Sequence, residues 1–241
     1  MTDQLAVAHA WPTNAALVVD VFALLDVAGL AGPDAEVLDV TYGDGLWWTK
    51  HRPTWFLWHA RADDPSFDFR RLPYPSDWCD VVVFDPPYCG KGGRETSGLK
   101  RMDATYGLTD SPANPDALLA MNIAGLTEAC RVARRVVLLK SMDFVTGGEL
   151  HPHTRHLEHH AEQLGWAVYE RLVHLPTGGR PQPATSPCRR CGGTGHQRLR
   201  VHPACEHCAG RGDIVRRQLR ARRRPSTLTI LVPRHLRRGA A

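Results

Sequence analysis

Apolar residues recur at helical spacing from Thr13 to about Leu30, at Leu17, Val18, Val21, Phe22, Leu24, Leu25 and Leu30, and Gly32-Pro33 stops the helix. Beyond it the period changes. EVLDV (36–40) is a short apolar strand running into TYGDG, and TWFLWH (54–59) is a second strand after a short helix near 46–51. DVVVF (80–84) is a nearly continuous apolar run of the buried parallel type. A helix from about Pro115 to Ala133 leads into RVVLLK (135–140), a helix near 154–164 into a strand at 166–175, and STLTILV (226–232) comes last. Strands alternating with helices predict an α/β fold with a mostly parallel, doubly wound sheet. Residues 89–115 are polar, rich in Gly and charge, and carry no period, which predicts a functional or mobile loop.

The 241 residues suit one α/β domain with room for a small insert. No apolar run approaches the roughly 18 residues of a membrane span. The best candidate, Ala15–Leu30, is interrupted by Asp20 and Asp26, and the start MTDQLAVAHA lacks the features of a signal peptide. The expectation is a soluble, cytoplasmic protein with no membrane partner.

The net charge of +5 is divided unevenly. Residues 188–241 hold 14 Arg and no Lys against Glu206 and Asp213, a net of +12, whereas the first 187 residues carry −7. A basic terminal segment on an acidic body points to a polyanion partner, most simply nucleic acid.

Four of the seven cysteines form CRRCGGTG (188–195) and CEHCAGRG (205–212), two copies of C-x-x-C-x-G-x-G. A two-residue spacer lets both thiolates of a knuckle reach one tetrahedral metal, and the following glycines permit the turn around it. Cys188, Cys191, Cys205 and Cys208 together close the shell of one structural zinc. An odd cysteine total without a secretion signal argues against disulfides. The repeats closely resemble the cysteine-rich region of DnaJ-type chaperones, but the J-domain HPD signature is lacking, so chaperone activity does not follow.

Two strand ends carry the candidate chemistry, because ligands of a parallel sheet bind beyond the carboxyl ends of its strands. The first is LDVTYGDG (38–45), in which the glycines allow close backbone approach to a ligand. The second is DPPY (85–88), directly after DVVVF. Its prolines make a stiff turn that presents carbonyl oxygens without competing N–H donors. Asp85 at its start and Tyr88 at its end make an acceptor-rich pocket with a stacking wall, suited to a planar base bearing an exocyclic amine. If the Asp85 carboxylate and the Pro86 carbonyl accept the two amine hydrogens, the nitrogen can pyramidalise and aim its lone pair at an electrophile. A plain turn after a buried strand is the bland alternative.

Together these features resemble the S-adenosylmethionine-dependent amino-methyltransferases of DNA, the N6-adenine and N4-cytosine group with the D/N/S-P-P-Y/F motif. The resemblance covers about residues 10–175 and 226–235. It implies a Rossmann-like class I methyltransferase core at 1–180, a zinc-binding insert at 181–215, and a basic segment with the last core strand at 216–241. It also implies that Asp39, Gly43 and Gly45 line the methionine end of S-adenosylmethionine, with Thr41, Tyr42 and Asp44 beside them. Asp68 and Phe69 would contact its adenine ring, and Asp85, Pro86, Pro87 and Tyr88 would hold the target amine. The acid expected at the end of the second strand is displaced, with Asp63 and Asp64 as candidates. Asp in the first motif position favours adenine N6 over cytosine N4. The implied partner is DNA, read by Lys91, Arg94, Lys100 and Arg101 of the 89–115 loop and by the zinc module. RNA is the alternative, because related motifs occur in methyltransferases for ribosomal-RNA guanine N2. A non-catalytic, zinc-dependent adaptor is the reading from another class.

Other residues receive bland readings. In HPHTRHLEHH (151–160), His156 and His160 are read as polar helix surface. Cys79, Cys89 and Cys130 are ordinary thiols. Trp47, Trp48, Trp55 and Trp58 are read as core, and Trp11-Pro12 as a segment that closes over the cofactor.

Overall fold

The computed structural model describes residues 11–59, 64, 66–88, 112–146, 149–174, 184–191, 204, 206–209, 211, 213–216 and 225–237. The chain divides into two compact units, Met1–Thr177 with Pro225–Ala241, and Gly178–Arg224.

In the larger unit the first helix, α1 (Asn14–Val27), starts where the Thr13 side chain accepts from the Ala16 N–H. Leu17, Val18, Val21, Phe22 and Leu25 form its buried stripe. After it come β1 (Glu36–Asp39), a single 3-10 turn at Leu46–Trp48, β2 (Trp55–Trp58) and β3 (Cys79–Phe84). Helix α2 (Pro115–Val132) is capped by Asn114 and carries proline in its first turn, where no helical hydrogen bond is lost. It passes directly into β4 (Ala133–Ser141). A small hairpin, β5 (Phe144–Thr146) and β6 (Glu149–His151), precedes α3 (His153–Gln163) and β7 (Trp166–His174). In the smaller unit, β8 (Ala184–Pro187) pairs with β9 (Asp213–Arg216). Strand β10 (Ser226–Pro233) and a short helix, α4 (Arg234–Arg237), return to the larger unit.

The main sheet has the order β2-β1-β3-β4-β10-β7. Strands β2, β1, β3 and β4 are mutually parallel, and β10 runs antiparallel between β4 and β7. This is a mostly parallel, doubly wound α/β sheet. Side-chain alternation builds its two cores. Val81, Val83, Val136, Leu138, Leu228 and Ile230 face α1, whereas Val82, Phe84, Val137, Leu139 and Leu231 face α2 and α3.

Among the described residues D-P-P-Y follows the third strand of the chain, β3. The described residues of 64–78 make turns instead of a strand. Pro73 and Pro75 lack the N–H groups a ladder needs. Helix α2 holds the segment instead: Glu128 accepts from the Leu72 N–H, and the Arg131 guanidinium donates to the Tyr74 and Leu72 carbonyls. Strand β2 is therefore at the edge of the sheet, and two tryptophans read as core are not buried. Trp55 is 64% exposed and Trp58 41%, while Trp47 and Trp48 are buried.

Helix α2 lies unusually close to the sheet. A Cβ at Gly125 would fall 2.5 Å from the Phe84 ring and 2.6 Å from the Phe69 ring. Overpacking at such a contact costs about 1–3 kcal/mol. Gly125→Ala is expected to lower unfolding free energy by that amount in urea titrations, with the slope against urea unchanged.

Candidate active site

The glycine-rich turn after β1 is organised around one buried carboxylate. Asp39, 3% exposed, accepts from the Thr41 N–H at 2.9 Å and from the Trp48 indole N–H at 2.7 Å. These bonds fold the chain back on itself between β1 and the 3-10 turn. Gly43 and Gly45 both take positive φ, which non-glycine residues rarely adopt. At Gly45 a Cβ would also strike the Tyr42 hydroxyl at 2.4 Å, so this glycine makes room for the Tyr42 ring. The Tyr42 hydroxyl accepts from Arg52, whose guanidinium lies over the Phe56 and Trp58 rings.

Thr41 joins this turn to the end of β3. Its hydroxyl oxygen accepts from the Asp85 N–H at 2.7 Å, so the two motifs, 44 residues apart, meet in one hydrogen bond. Asp39, Thr41, Tyr42, Asp44 and Asp85 line one cleft, together with Asn14, Leu46 and Trp47. The Tyr88 hydroxyl donates to the Asp85 carboxylate, so its tip is tied to the acid it follows. Pro86 and Pro87 are buried. The Pro87 carbonyl accepts from the Asn122 side-chain amide of α2 at 3.1 Å.

Asp68 and Phe69 stand apart from the residues lining that cleft. Asp68 is engaged by Arg70 through a salt bridge of 2.8 Å and also accepts from the Arg70 N–H. Phe69 is a core ring packed edge-on against Phe84, with centroids 5.5 Å apart. Asp64 is exposed and accepts from the Ser66 N–H and hydroxyl. Trp11 does not close over the cleft. It is buried in the α1 core and its indole donates to Asp20 at 2.6 Å. His156 is exposed, whereas His160 is half-buried against the Thr127 hydroxyl at 2.8 Å. Cys79 and Cys130 are buried, and burial raises both thiols well above the usual range. Asp63, Cys89, Lys91, Arg94, Lys100 and Arg101 lie outside the described residues, as do Cys205 and 217–224.

Three participants are not distinguished by the sequence pattern. Lys140 closes an apolar strand, where a lysine reads as the exit to solvent, yet it is 3% exposed. Its ammonium donates to the Asn14 side chain at 2.6 Å and sits 5.0 Å from the Trp47 ring centroid. Trp47 reads as core, yet it lines the cleft together with Asp85. Asn122 occupies the buried face of α2 with Leu118, Met121, Gly125 and Leu126, and this break in an apolar stripe was its one available signal.

Burial pushes the Asp39 carboxyl up to about 7; the Trp48 and Thr41 donors oppose this and the charge of Asp85 adds to it. Burial pushes Asp85 up to about 6, opposed first by Lys140 and then by Trp47. Lys140 is lowered by burial and held up by Asp85. At neutral pH Asp85 is mainly a carboxylate, an acceptor in a cleft with limited water.

In the smaller unit, the sulfurs of Cys188, Cys191 and Cys208 lie within 4.8 Å of one another, and all three residues are buried. Cys191 and Cys208 sulfurs are 3.8 Å apart. Tetrahedral Zn–S bonds of about 2.3 Å place neighbouring sulfurs about 3.8 Å apart. The donor set fits a thiolate metal centre.

No protein-family model matches the chain, and the search of curated proteins finds no match. Among solved structures, one described as a "putative RNA methyltransferase" from Pyrococcus horikoshii aligns at 12% identity with a TM-score of 0.40. The alignment covers 91% of this chain and 82% of that one.

Burial of Asp39 links stability to pH. A carboxyl whose folded pKa lies above its unfolded value binds its proton more tightly when folded, so its contribution to stability falls as pH rises from about 4 to about 7. Asp39→Asn removes this contribution. The stability of the variant relative to wild type is expected to improve steadily across that interval, as read from urea titrations at each pH.

Proposed function

We propose that the protein is an S-adenosylmethionine-dependent methyltransferase that modifies the exocyclic N6 amine of adenine in DNA. The observation that carries this reading is the meeting of the two motifs. Asp85 of D-P-P-Y and Thr41 of the glycine-rich turn share a hydrogen bond at the carboxyl ends of adjacent parallel strands, where such sheets bind ligands.

S-adenosylmethionine, when bound, supplies the electrophilic methyl group. The chain supplies placement. Asp39 fixes the turn from within, through Thr41 and Trp48, and Asp44 and Tyr42 present the turn's polar atoms to the cleft. Asp85 accepts one hydrogen of the target amine and the Pro86 carbonyl the other, so the nitrogen lone pair is directed at the methyl carbon. Asn122 holds the Pro87 carbonyl and keeps the proline turn at its station. As the N–C bond formed, the donor's sulfur–methyl bond would break with S-adenosylhomocysteine as leaving group, and the Asp85 carboxylate would take the proton that the amine loses. Holding donor and acceptor in line supplies most of the rate enhancement. The net charge of +12 over 188–241 supports a nucleic-acid substrate. Cys188, Cys191 and Cys208, with Cys205 completing the set, would hold one structural zinc.

Nucleoside mass spectrometry of unmethylated DNA, after incubation with the full chain and S-adenosylmethionine, tests the reaction. N6-methyladenine is expected from wild type, with a loss of at least about 100-fold in Asp85→Ala. N4-methylcytosine would correct the base, and N2-methylguanosine from structured RNA alone would correct the substrate. No methylated nucleoside from either would contradict the proposal. Metal analysis is expected to give one zinc per chain, and Cys191→Ser is expected to lose it. Retained stoichiometry in that variant would contradict the thiolate centre.

A further inference from the structure

Lys140 is the one lysine among the buried polar and charged residues of the described structure. The β3–β4 register pairs Phe84 with Leu139, which makes Asp85 and Lys140 the next pair along the two strands. An ammonium withdrawn from water costs several kcal/mol unless an opposite charge compensates. Its hydrogen bond to Asn14 is to a neutral amide and does not do so. Asp85, beside it in the sheet, is the opposite charge that opposes this cost, and Trp47 borders both: it lines the cleft with Asp85 and its ring lies beside the ammonium.

Other charged and titratable groups stand near this pair at the ends of two strands, β1 and β7, and in the glycine-rich turn, where Asp44 lines the same cleft. Asp39, at the end of β1, adds negative charge beside Asp85. Asp85 follows β3. His174, at the end of β7, is lowered by burial and by the charge of Lys140, and so opposes neither acid with a charge of its own. Two carboxyl groups and one ammonium therefore share the carboxyl edge of the sheet.

We propose that Lys140 is a positioning residue for the reaction, acting through Asp85: it keeps Asp85 a carboxylate at neutral pH, so that the target amine meets an acceptor. Without the ammonium, Asp85 holds its proton and presents an O–H where the amine needs a lone pair. Asn14 sets where the ammonium stands, which ties the start of α1 to the chemistry. The kinetic part of this inference rests on the proposed methyl transfer; the charge coupling does not.

The test is carboxyl-carbon NMR of the full chain, with Asp85 assigned by its loss in Asp85→Asn. In Lys140→Met the Asp85 midpoint is expected to rise by about 1–3 pH units, the usual effect of removing an adjacent opposite charge. The reciprocal measurement covers the case in which that variant does not fold. In Asp85→Asn the Lys140 ammonium midpoint falls by the same amount, because coupling acts equally on both partners. In nucleoside assays the acid limb of the pH–rate profile of Lys140→Met moves up with the NMR midpoint, so the rate recovers at high pH, and Lys140→Arg restores the wild-type limb. Unmoved midpoints overturn the proposal. A rate lowered equally at every pH overturns the positioning role. Moved midpoints in a protein that methylates no nucleic acid support the charge coupling and defeat the functional reading instead.

Discussion

Two carboxyl groups, Asp39 and Asp85, stand at the ends of adjacent parallel strands and share a region poor in water. Neither can be there without partners. Asp39 is satisfied by Thr41 and Trp48, which converts an unfavourable burial into a latch for the glycine-rich turn. Asp85 accepts from the Tyr88 hydroxyl, and the charge of Lys140 opposes the effect of its burial. Thr41 joins the two residues, since its N–H goes to the Asp39 carboxylate and its hydroxyl oxygen accepts from the Asp85 backbone N–H. The shape of the cleft is largely the consequence of keeping these two groups solvated by protein.

The sheet supplies the rigidity that this arrangement requires. Alternating side chains of β3 and β4 enter two separate cores, so the strand ends are clamped from both faces. Helix α2 contributes twice, through the close approach at Gly125 and through Asn122, which holds the Pro87 carbonyl. On the same face as α2, α3 is joined to the sheet by Glu158, which accepts from both Arg171 on β7 and the Thr229 hydroxyl on β10. The segment before β3 forms no strand among its described residues, and α2 secures it by side chains instead of a ladder.

The six strands of the main sheet and its long helices were legible because each is a sustained apolar pattern of one period. What the pattern missed is short or non-local. The β5–β6 hairpin has three residues in each strand, too few to show alternation. Trp55 and Trp58 read as core, but β2 is the edge strand of the described sheet, a position that its apolar run does not reveal. In the site, the two motifs were legible because glycine and proline constrain the backbone directly. Lys140, Asn14 and Trp47 were not, since their roles come from strand register and from contacts across 93 to 126 residues of chain.

Methyl transfer as proposed requires the cleft between the ends of β1 and β3 to bind S-adenosylmethionine. Ultraviolet crosslinking of methyl-labelled S-adenosylmethionine to the full chain, followed by peptide mapping, tests it most directly. The account predicts saturable labelling within residues 39–48 or 85–88, abolished by excess S-adenosylhomocysteine. Labelling confined to the separate groove lined by Phe22, Asp26, His51 and Arg52, or no saturable labelling, would contradict it.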